Sequence, residues 1–402
     1  MGAARPFALA LAIDGFGSGL FLPFSLLYFH YAGGLSLTQA GLGLSVAMLV
    51  AVPMPLLAGV LVDRAGPKRI MLLSNAARAA GFLGYLLVHD LGTLIAVALV
   101  VAVSDRLAWV AHPALVAEIA GPGSRDRWFG LTTALRCAGL GIGGLLAGVA
   151  VSDLGTTSYH ALAVGNAISF AVAALLIGRL QVPGRAALEV ASTELGGLQV
   201  VLADRRFCGV VASNLVFGIA RTAVLVGVPV YIVQVLKAPA WLAGALYVTY
   251  TAMVALGQTS MVRGLERHRR TRALMLAAVL WAASFLLLAG ASLVPRMLLA
   301  SFLFVITGVY TTAVMAHAAV IDALVVEAAP DAARARYVGV YHLSWAVANA
   351  AAPGLFTILL AWRPSSPWVA LTILLLLAGM GVWMLEPRLR RSAVRLPARA
   401  GA

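Results

Sequence analysis

The chain has 402 residues, of which 62% are hydrophobic and only 11% carry a charge. Soluble domains contain roughly 25% charged residues, so a soluble fold of this composition is excluded. We therefore expect an all-α membrane protein. The net charge of +14 would suggest a nucleic-acid partner in a soluble protein, and here it needs another explanation.

Twelve apolar runs are each long enough to cross a bilayer, which takes about 20 residues in a helix. Helices are expected because isolated strands would leave backbone groups without hydrogen bonds in hydrocarbon. The predicted spans are 7–29, 38–62, 70–88, 93–117, 128–151, 159–181, 207–233, 240–262, 273–291, 295–320, 337–361 and 366–385.

The basic residues predict the orientation, because cytoplasmic loops are enriched in Lys and Arg. With the N-terminus in the cytoplasm, 22 of the 29 Lys and Arg residues fall on the cytoplasmic side. Three fall on the opposite side, and four lie well inside predicted spans. Arg179 and Arg296, at the ends of their spans, are counted with the adjacent loops. The high positive charge therefore indicates membrane topology, with both termini cytoplasmic, and not nucleic-acid binding.

A polar stretch divides the twelve spans into two groups of six. Within it, Leu195, Leu198 and Leu202 fall on one face of a short helix, which favours a helix lying at the membrane surface. A plain disordered linker is the alternative. The predicted parts are an N-terminal six-helix bundle (1–181), a cytoplasmic linker (182–206), a C-terminal six-helix bundle (207–385) and a basic cytoplasmic tail (386–402).

An internal repeat relates the two groups. Residues 113–130 and 322–339 are identical at eight of eighteen positions without a gap, including Glu118 with Glu327 and Arg127 with Arg336. The offset of 209 residues spans six helices, so both copies keep the same membrane orientation. Parallel six-helix repeats are typical of transporters.

The loop between the second and third spans reads GVLVDRAGPKR over residues 59–69. It resembles the signature loop of the major facilitator superfamily, G-x-x-x-D-R-x-G-x-[RK]-[RK], at every fixed position. The resemblance implies twelve helices in two pseudo-symmetric bundles, and a gate on the cytoplasmic side in which Lys68 or Arg69 pairs with Glu118. The alternative is that these charges only anchor the topology. The implied gate residues are Gly59, Asp63, Arg64, Gly66, Lys68, Arg69 and Glu118.

The fifth span is rich in glycine and resembles the antiporter signature of drug–proton exporters. Gly144 stands where that signature has proline, and Gly148 comes one position late. Small residues allow helices in lipid to approach closely, and we expect this face to pack against the eleventh span. The pattern G-x-G-x-x-G also occurs here, but no βαβ unit surrounds it, which excludes a dinucleotide site. The packing glycines are Gly139, Gly143, Gly144 and Gly148.

Ionisable groups inside apolar spans are costly and mark transport pathways. Asp14 and Asp105 are the candidate proton carriers, with His112 as a possible relay. Structural ion pairs with Arg78, Arg106 or Arg136 are the alternative role of these carboxylates. Arg106 resembles the fourth-helix arginine of the family. The predicted coupling and cavity residues are Asp14, Asp105, Arg106, His112, Arg136 and Arg221, and further ionisable groups in the second half are His317, Asp322 and His342.

Aromatic residues have two predicted roles. Some can line an apolar substrate cavity, although helix packing explains most of them equally well. Others fall near the ends of spans, where Trp is enriched at the membrane interface. The predicted interfacial residues are Trp128, Trp241, Trp362, Trp368 and Trp383.

These features lead us to expect a secondary active transporter, a proton-coupled antiporter that exports small hydrophobic or amphipathic molecules by alternating access. We expect a monomer in a bacterial plasma (inner) membrane, with substrate, protons and lipid as partners, and neither a metal nor a cofactor beyond the proton gradient. The alternative is a proton-coupled symporter that imports a sugar or an organic anion, with Arg106 and Arg221 as its ligands. An enzyme is not expected, since the chain lacks H-E-x-x-H, G-x-S-x-G and P-loop motifs.

Overall fold

The structure, a computed structural model, describes residues 4–120, 125–154, 156–181, 198–265, 268–330, 333–389 and 394. Within these ranges the chain is helical and has no strand. The α-helices are α1 Ala4–Phe21, α2 Ser25–Tyr31, α3 Leu37–Val50, α4 Met54–Ala65, α5 Pro67–Gly84, α6 Leu91–Ile119, α7 Arg125–Leu154, α8 Thr156–Gly178, α9 Leu198–Ala203, α10 Arg205–Val230, α11 Trp241–Leu265, α12 Arg270–Ala289, α13 Arg296–Ala328, α14 Arg334–Trp362 and α15 Ser366–Leu385.

Ten segments of the described chain are long and apolar enough to cross a membrane. The second predicted span is divided into α3 and α4, because Pro53 has no backbone N–H and its ring clashes with the preceding helical turn. The eighth predicted span lies on α11, which is not among these ten segments because its Thr, Tyr and Gln side chains lower the mean hydropathy. The all-helical membrane fold is confirmed, and the count of twelve spans stays a prediction.

Side-chain caps start two of the helices. Ser36 Oγ accepts from the Gln39 backbone N–H at 3.1 Å and begins α3. At the start of α6, the Thr93 backbone N–H donates to Asp90 Oδ1 at 3.0 Å. This hydrogen bond and the Thr93 hydroxyl lower the pKa of the Asp90 carboxyl. Such caps satisfy N–H groups that have no partner inside the helix.

The chain forms two compact units. Unit 1 contains Met1–Ser192 with Leu225–Thr251 and Pro353–Thr357, and unit 2 contains Thr193–Val224, Ala252–Ala352 and Ile358–Ala402. The predicted N-terminal bundle therefore falls in unit 1, together with two segments that we assigned to the C-terminal bundle. The structure describes the predicted linker helix only from Leu198 onward, and most of the basic tail lies outside the described residues.

Each unit has its own apolar core. In unit 1, Phe7, Leu11, Ile70 and Leu115 join α1, α5 and α6. The core of unit 2 joins α10, α12, α13 and α14, while many large apolar side chains of both units face outward, as expected for helices in lipid. One interfacial prediction is wrong: Trp368 is fully buried, because its ring packs against a phenylalanine of α12.

The internal repeat is visible in the helix boundaries. α6 and α13 end at Ile119 and Ala328, and α7 and α14 begin at Arg125 and Arg334. Both pairs differ by 209, the offset of the sequence repeat. The two copies therefore have the same place in the fold, at the turn between the fourth and fifth helices of each half.

The glycines of α7 pack on two neighbours. A Cβ at Gly139 would lie 2.6 Å from the Ala12 carbonyl oxygen of α1, and one at Gly143 would also meet the α1 backbone. A Cβ at Gly148 would lie 2.9 Å from the Ala240 carbonyl oxygen, beside α11, and Gly144 faces Tyr247 of α11. The predicted packing of these glycines against the eleventh span, now α14, is therefore wrong. Instead, Gly139 and Gly143 pack against α1, and Gly144 and Gly148 pack against α11 and the residue before it, on two faces of α7.

We predict that Gly139→Ala destabilises the protein. The new methyl group would meet backbone atoms of α1, which cannot move as a flexible side chain can, and such overpacking costs roughly 1–3 kcal/mol. Gly130→Ala is the matched control on the same helix, since a Cβ there has open space. It should be neutral or stabilising, because alanine favours helix. Thermal unfolding in detergent measures both, and equal melting temperatures would contradict the packing described here.

Candidate functional site

The buried charges of unit 1 meet at the guanidinium of Arg78 on α5. Its Nη1 donates to Asp14 Oδ1 of α1 at 3.4 Å and to Asp105 Oδ1 of α6 at 3.2 Å. Its Nη2 donates to Asn75 Oδ1 at 2.5 Å, and the guanidinium carbon lies 4.2 Å from the ring centroid of Phe170 on α8. Four helices therefore contribute to this group, which we call the Arg78 cluster.

The two carboxylates of the cluster differ in their exposure. The side chains of Asp14 and Arg78 are each only 4% exposed, whereas that of Asp105 is 54% exposed. Two carboxylates share one guanidinium nitrogen, so the ionised cluster has one negative charge in excess. Uptake of a single proton would bring it to neutrality, and Asp105 is the more accessible of the two carboxylates.

Polar atoms of α5, in the cluster and beside it, have unused hydrogen-bonding capacity. Ser74 Oγ, Asn75 Nδ2 and Arg78 Nε are buried and have no hydrogen-bond partner within the described residues. Buried polar groups in folded proteins are normally satisfied. Their concentration on α5 therefore distinguishes this region from ordinary helix packing.

Other predicted site residues of unit 1 lie outside the Arg78 cluster. The Arg106 guanidinium carbon lies 6.0 Å from the ring centroid of Trp109, one turn along α6. The imidazole of His112 stacks on the ring of Phe7 at 6.0 Å, and Arg136 is exposed on α7. Of the predicted coupling residues in this unit, the two carboxylates share Arg78 as a hydrogen-bond partner. Arg106 and Arg136 interact with Asp105 through their charges, and His112 lies within electrostatic range of Arg136 and Asp14.

The loop of residues 59–69 turns the chain between α4 and α5. Gly66 has φ +83°, a conformation that favours glycine. Lys68 Nζ donates to the Leu180 carbonyl oxygen at 2.6 Å, two residues after α8 ends at Gly178. The last carbonyls of a helix lack intrahelical partners and attract cations. Lys68 therefore binds there and not to Glu118, the partner that the family resemblance implied.

The remaining gate residues are placed at or near the surface. The side chain of Glu118 is half-buried near the end of α6, and Gly59 has open space beside it on α4. Exposed side chains are those of Asp63, Arg64 and Arg69.

Unit 2 has a comparable contact at the start of α12. Arg269 pairs with Glu386, just after α15, and Thr271 Oγ1 donates to Glu386 Oε2 at 2.5 Å. In the repeat α12 and α15 correspond to α5 and α8. The loop before α12 departs from the signature of residues 59–69, yet each unit ties the start of one of these helices to the end of the other.

An aromatic cluster surrounds His317 of α13 in unit 2. The ring centroids of Phe217, Trp281 and Trp345 lie 4.4, 6.1 and 6.3 Å from the imidazole. Arg221 of α10, a predicted cavity residue, has its guanidinium carbon 5.6 Å from the Trp345 ring centroid. We call these five residues the His317 cluster, and α10, α12, α13 and α14 contribute to it.

Two nitrogen atoms of this cluster are buried without a hydrogen-bond partner in the described structure. They are His317 Nε2 and Trp281 Nε1. An unsatisfied buried polar group costs about 1–3 kcal/mol. The rings that carry these two atoms lie next to each other, with their centroids 6.1 Å apart.

Three residues of the Arg78 cluster were not among the predicted site residues. The sequence placed Arg78 at the same depth in the membrane as Asp14, and this position could have identified Arg78 as the ion-pair partner of Asp14. Asn75 and Phe170 have no comparable signal, because an amide and a phenylalanine are ordinary in packed helices.

The apolar spans, the buried charge cluster and the repeated halves define a membrane transporter. Residues 7–353 match the family model described as Major Facilitator Superfamily. The chain belongs to this superfamily, and it is not an enzyme.

Solved transporter structures have the same fold. The nucleoside transporter NupG has a TM-score of 0.76 and 15% identity, over 96% of this chain and 99% of its own. A peptide transporter POT in complex with sulfate has a TM-score of 0.73 and 14% identity, over 98% of this chain and 96% of its own. A bacterial homolog to the human lysosomal transporter Spinster, in an inward-facing and occupied conformation, has a TM-score of 0.71 and 14% identity, over 98% of both chains. No curated protein sequence matches the chain.

We predict that Arg78→Gln strongly lowers the melting temperature in detergent. Removing one partner of a buried ion pair leaves an uncompensated charge and costs roughly 3–5 kcal/mol. The triple variant Arg78→Gln, Asp14→Asn, Asp105→Asn should recover most of the loss, because no unpaired charge remains. Arg179→Gln, at an exposed site after α8, is the control. A loss no larger than in this control would show that the cluster does not stabilise the fold.

Proposed function

We propose that this protein is a proton-coupled antiporter that exports small hydrophobic or amphipathic molecules. The observation that carries the proposal is the sharing of Arg78 by two carboxylates, one of them buried and the other more exposed. A coupling site needs a group whose protonation changes the balance of charges holding helices together. The Arg78 cluster has this property, because α1 and α6 are both held to α5 through a carboxylate.

A proton on the cluster would weaken one of its ion pairs. A protonated carboxyl group no longer neutralises the guanidinium, so the helix that carries it is less strongly held to α5. Asp105 exchanges the proton with solvent, and Asp14 holds Arg78 in the buried part of the cluster. Proton binding and helix movement are coupled through this single guanidinium.

Export as the direction of transport is supported by the glycine-rich α7. Its pattern resembles the signature of drug–proton exporters, and Gly139 and Gly143 bring it against α1, the helix of Asp14. The excess of basic residues on one side supports a bacterial plasma membrane protein with cytoplasmic termini. In this orientation the loop of residues 59–69, with Lys68 tied to α8, is a gate element on the cytoplasmic side.

The proposal predicts that Asp14→Asn abolishes uphill export and preserves exchange of substrate down its gradient. Inside-out vesicles with an acidic interior are screened with labelled hydrophobic and amphipathic compounds, and a compound accumulated by the unchanged protein is then used with the variants. Asp105→Asn should also abolish uphill accumulation, because the solvent-exposed carboxyl group is lost.

Asp90→Asn is the matched carboxyl control. Asp90 caps α6 outside the Arg78 cluster, and asparagine is an equally good N-cap, so full accumulation is expected. Uphill export by Asp14→Asn at the rate of the unchanged protein would reject Asp14 as the coupling residue. Accumulation of a sugar or an organic anion only in right-side-out vesicles would instead indicate the importing symporter.

A further inference from the structure

The His317 cluster has no part in the proton mechanism above, yet its composition resembles a binding site. Phe217, Trp281 and His317 are almost completely buried, Trp345 is half-buried, and Arg221 is exposed. The cluster therefore reaches from the core of unit 2 to its surface through adjoining rings. Trp345 lies between the other parts, since it contacts both the guanidinium and the imidazole.

The positive charge of Arg221 favours the neutral form of the His317 imidazole. The guanidinium shares Trp345 with His317, and a positively charged imidazole in the same buried aromatic cluster would be repelled by it. A neutral imidazole and an indole N–H are instead hydrogen-bonding groups without charge. Since neither Trp281 Nε1 nor His317 Nε2 has a partner in the described structure, both remain able to bind an oxygen atom.

We propose that the His317 cluster binds the carboxylate end of a planar, apolar organic acid. Arg221 attracts the carboxylate at the surface of unit 2, because guanidinium groups match carboxylate geometry. The Trp345 indole packs against the planar body of the ligand. Movement of this indole admits one carboxylate oxygen, which accepts from the indole N–H of Trp281 and from the Nε2–H of His317 in its neutral, Nε2-protonated form. Four of the five residues thus have a direct task in binding, and Phe217 packs against the imidazole of His317.

This inference deepens the proposed function by naming a substrate class, and it rests on that function only for transport. Binding itself requires no proton gradient and none of the residues of the Arg78 cluster. Binding and coupling can therefore fail independently in an experiment.

Isothermal titration calorimetry of the full chain in detergent tests the proposal, with 2-naphthoate as the probe. We expect saturable binding, with at least tenfold weaker binding of the uncharged 2-naphthamide and no binding of 2-naphthylmethylammonium. Arg221→Gln should weaken naphthoate binding at least tenfold and remove the preference over the amide. His317→Phe should weaken both ligands at least fivefold, and His317→Gln should restore part of the loss through its amide.

Control variants separate the site from general damage to the fold. His342→Phe, on the exposed side of α14, and Arg296→Gln, at the start of α13, should bind 2-naphthoate as the unchanged protein does. Equal binding by Arg221→Gln and His317→Phe, or tighter binding of the cation, would overturn the proposal. Asp14→Asn should retain binding of 2-naphthoate. If this variant binds 2-naphthoate but still exports uphill, the coupling proposal fails and the binding site stands. If uphill export depends on Asp14 but 2-naphthoate does not bind, the binding site fails and the coupling proposal stands.

Discussion

The structure of unit 1 depends on one buried guanidinium that two carboxylates share. Arg78 is almost inaccessible, and an arginine in apolar surroundings is tolerated only with partners that neutralise it. Asp14 and Asp105 supply that neutralisation from α1 and α6, so the two helices are tied to α5 by charge as well as by packing. Because two carboxylates share one cation, the binding of a single proton changes the net charge of the cluster. The same interaction therefore ties three helices of unit 1 together, and in our proposal it also makes the fold respond to protons.

The repeat shows how two halves with one architecture have come to differ in chemistry. Helix boundaries around the repeated segment keep the offset of 209, and each unit ties the start of its third long helix to the end of its sixth. At corresponding helices, unit 1 has Arg78 with carboxylates and unit 2 has Trp281 with a neutral imidazole. We propose that the first serves proton coupling and that the second binds an apolar ligand with a polar end.

Much of the fold was predictable because hydrophobic runs and basic loops depend only on composition along the chain. The all-helical membrane fold came from such patterns, whereas the superfamily came from the signature loop of residues 59–69 and the relation of the two halves from the repeated segment. The break at Pro53 and the low hydropathy of α11 were missed, since a run can be apolar on average and still be interrupted. Tertiary contacts were harder: the glycines of α7 indicated close packing, but sequence spacing does not identify the partner helix.

The same limit applies to the candidate site. Asp14 and Asp105 were found because a carboxylate in an apolar span is conspicuous, but that both meet Arg78 depends on how α1, α5 and α6 pack. Lys68 shows the converse, since the residue was found and its partner was not. Its ammonium binds the end of α8, a backbone site that no side-chain motif reveals.

The central claim is that the Arg78 cluster takes up the coupling proton. The most direct measurement is an infrared difference spectrum of the purified protein between high and low pH, in ordinary and in heavy water. It records the C=O band of a protonated carboxyl group and its isotope shift. The account predicts a buried carboxyl band that Asp14→Asn or Asp105→Asn removes or shifts and that Asp90→Asn leaves unchanged. A band that is the same in all three variants would contradict it.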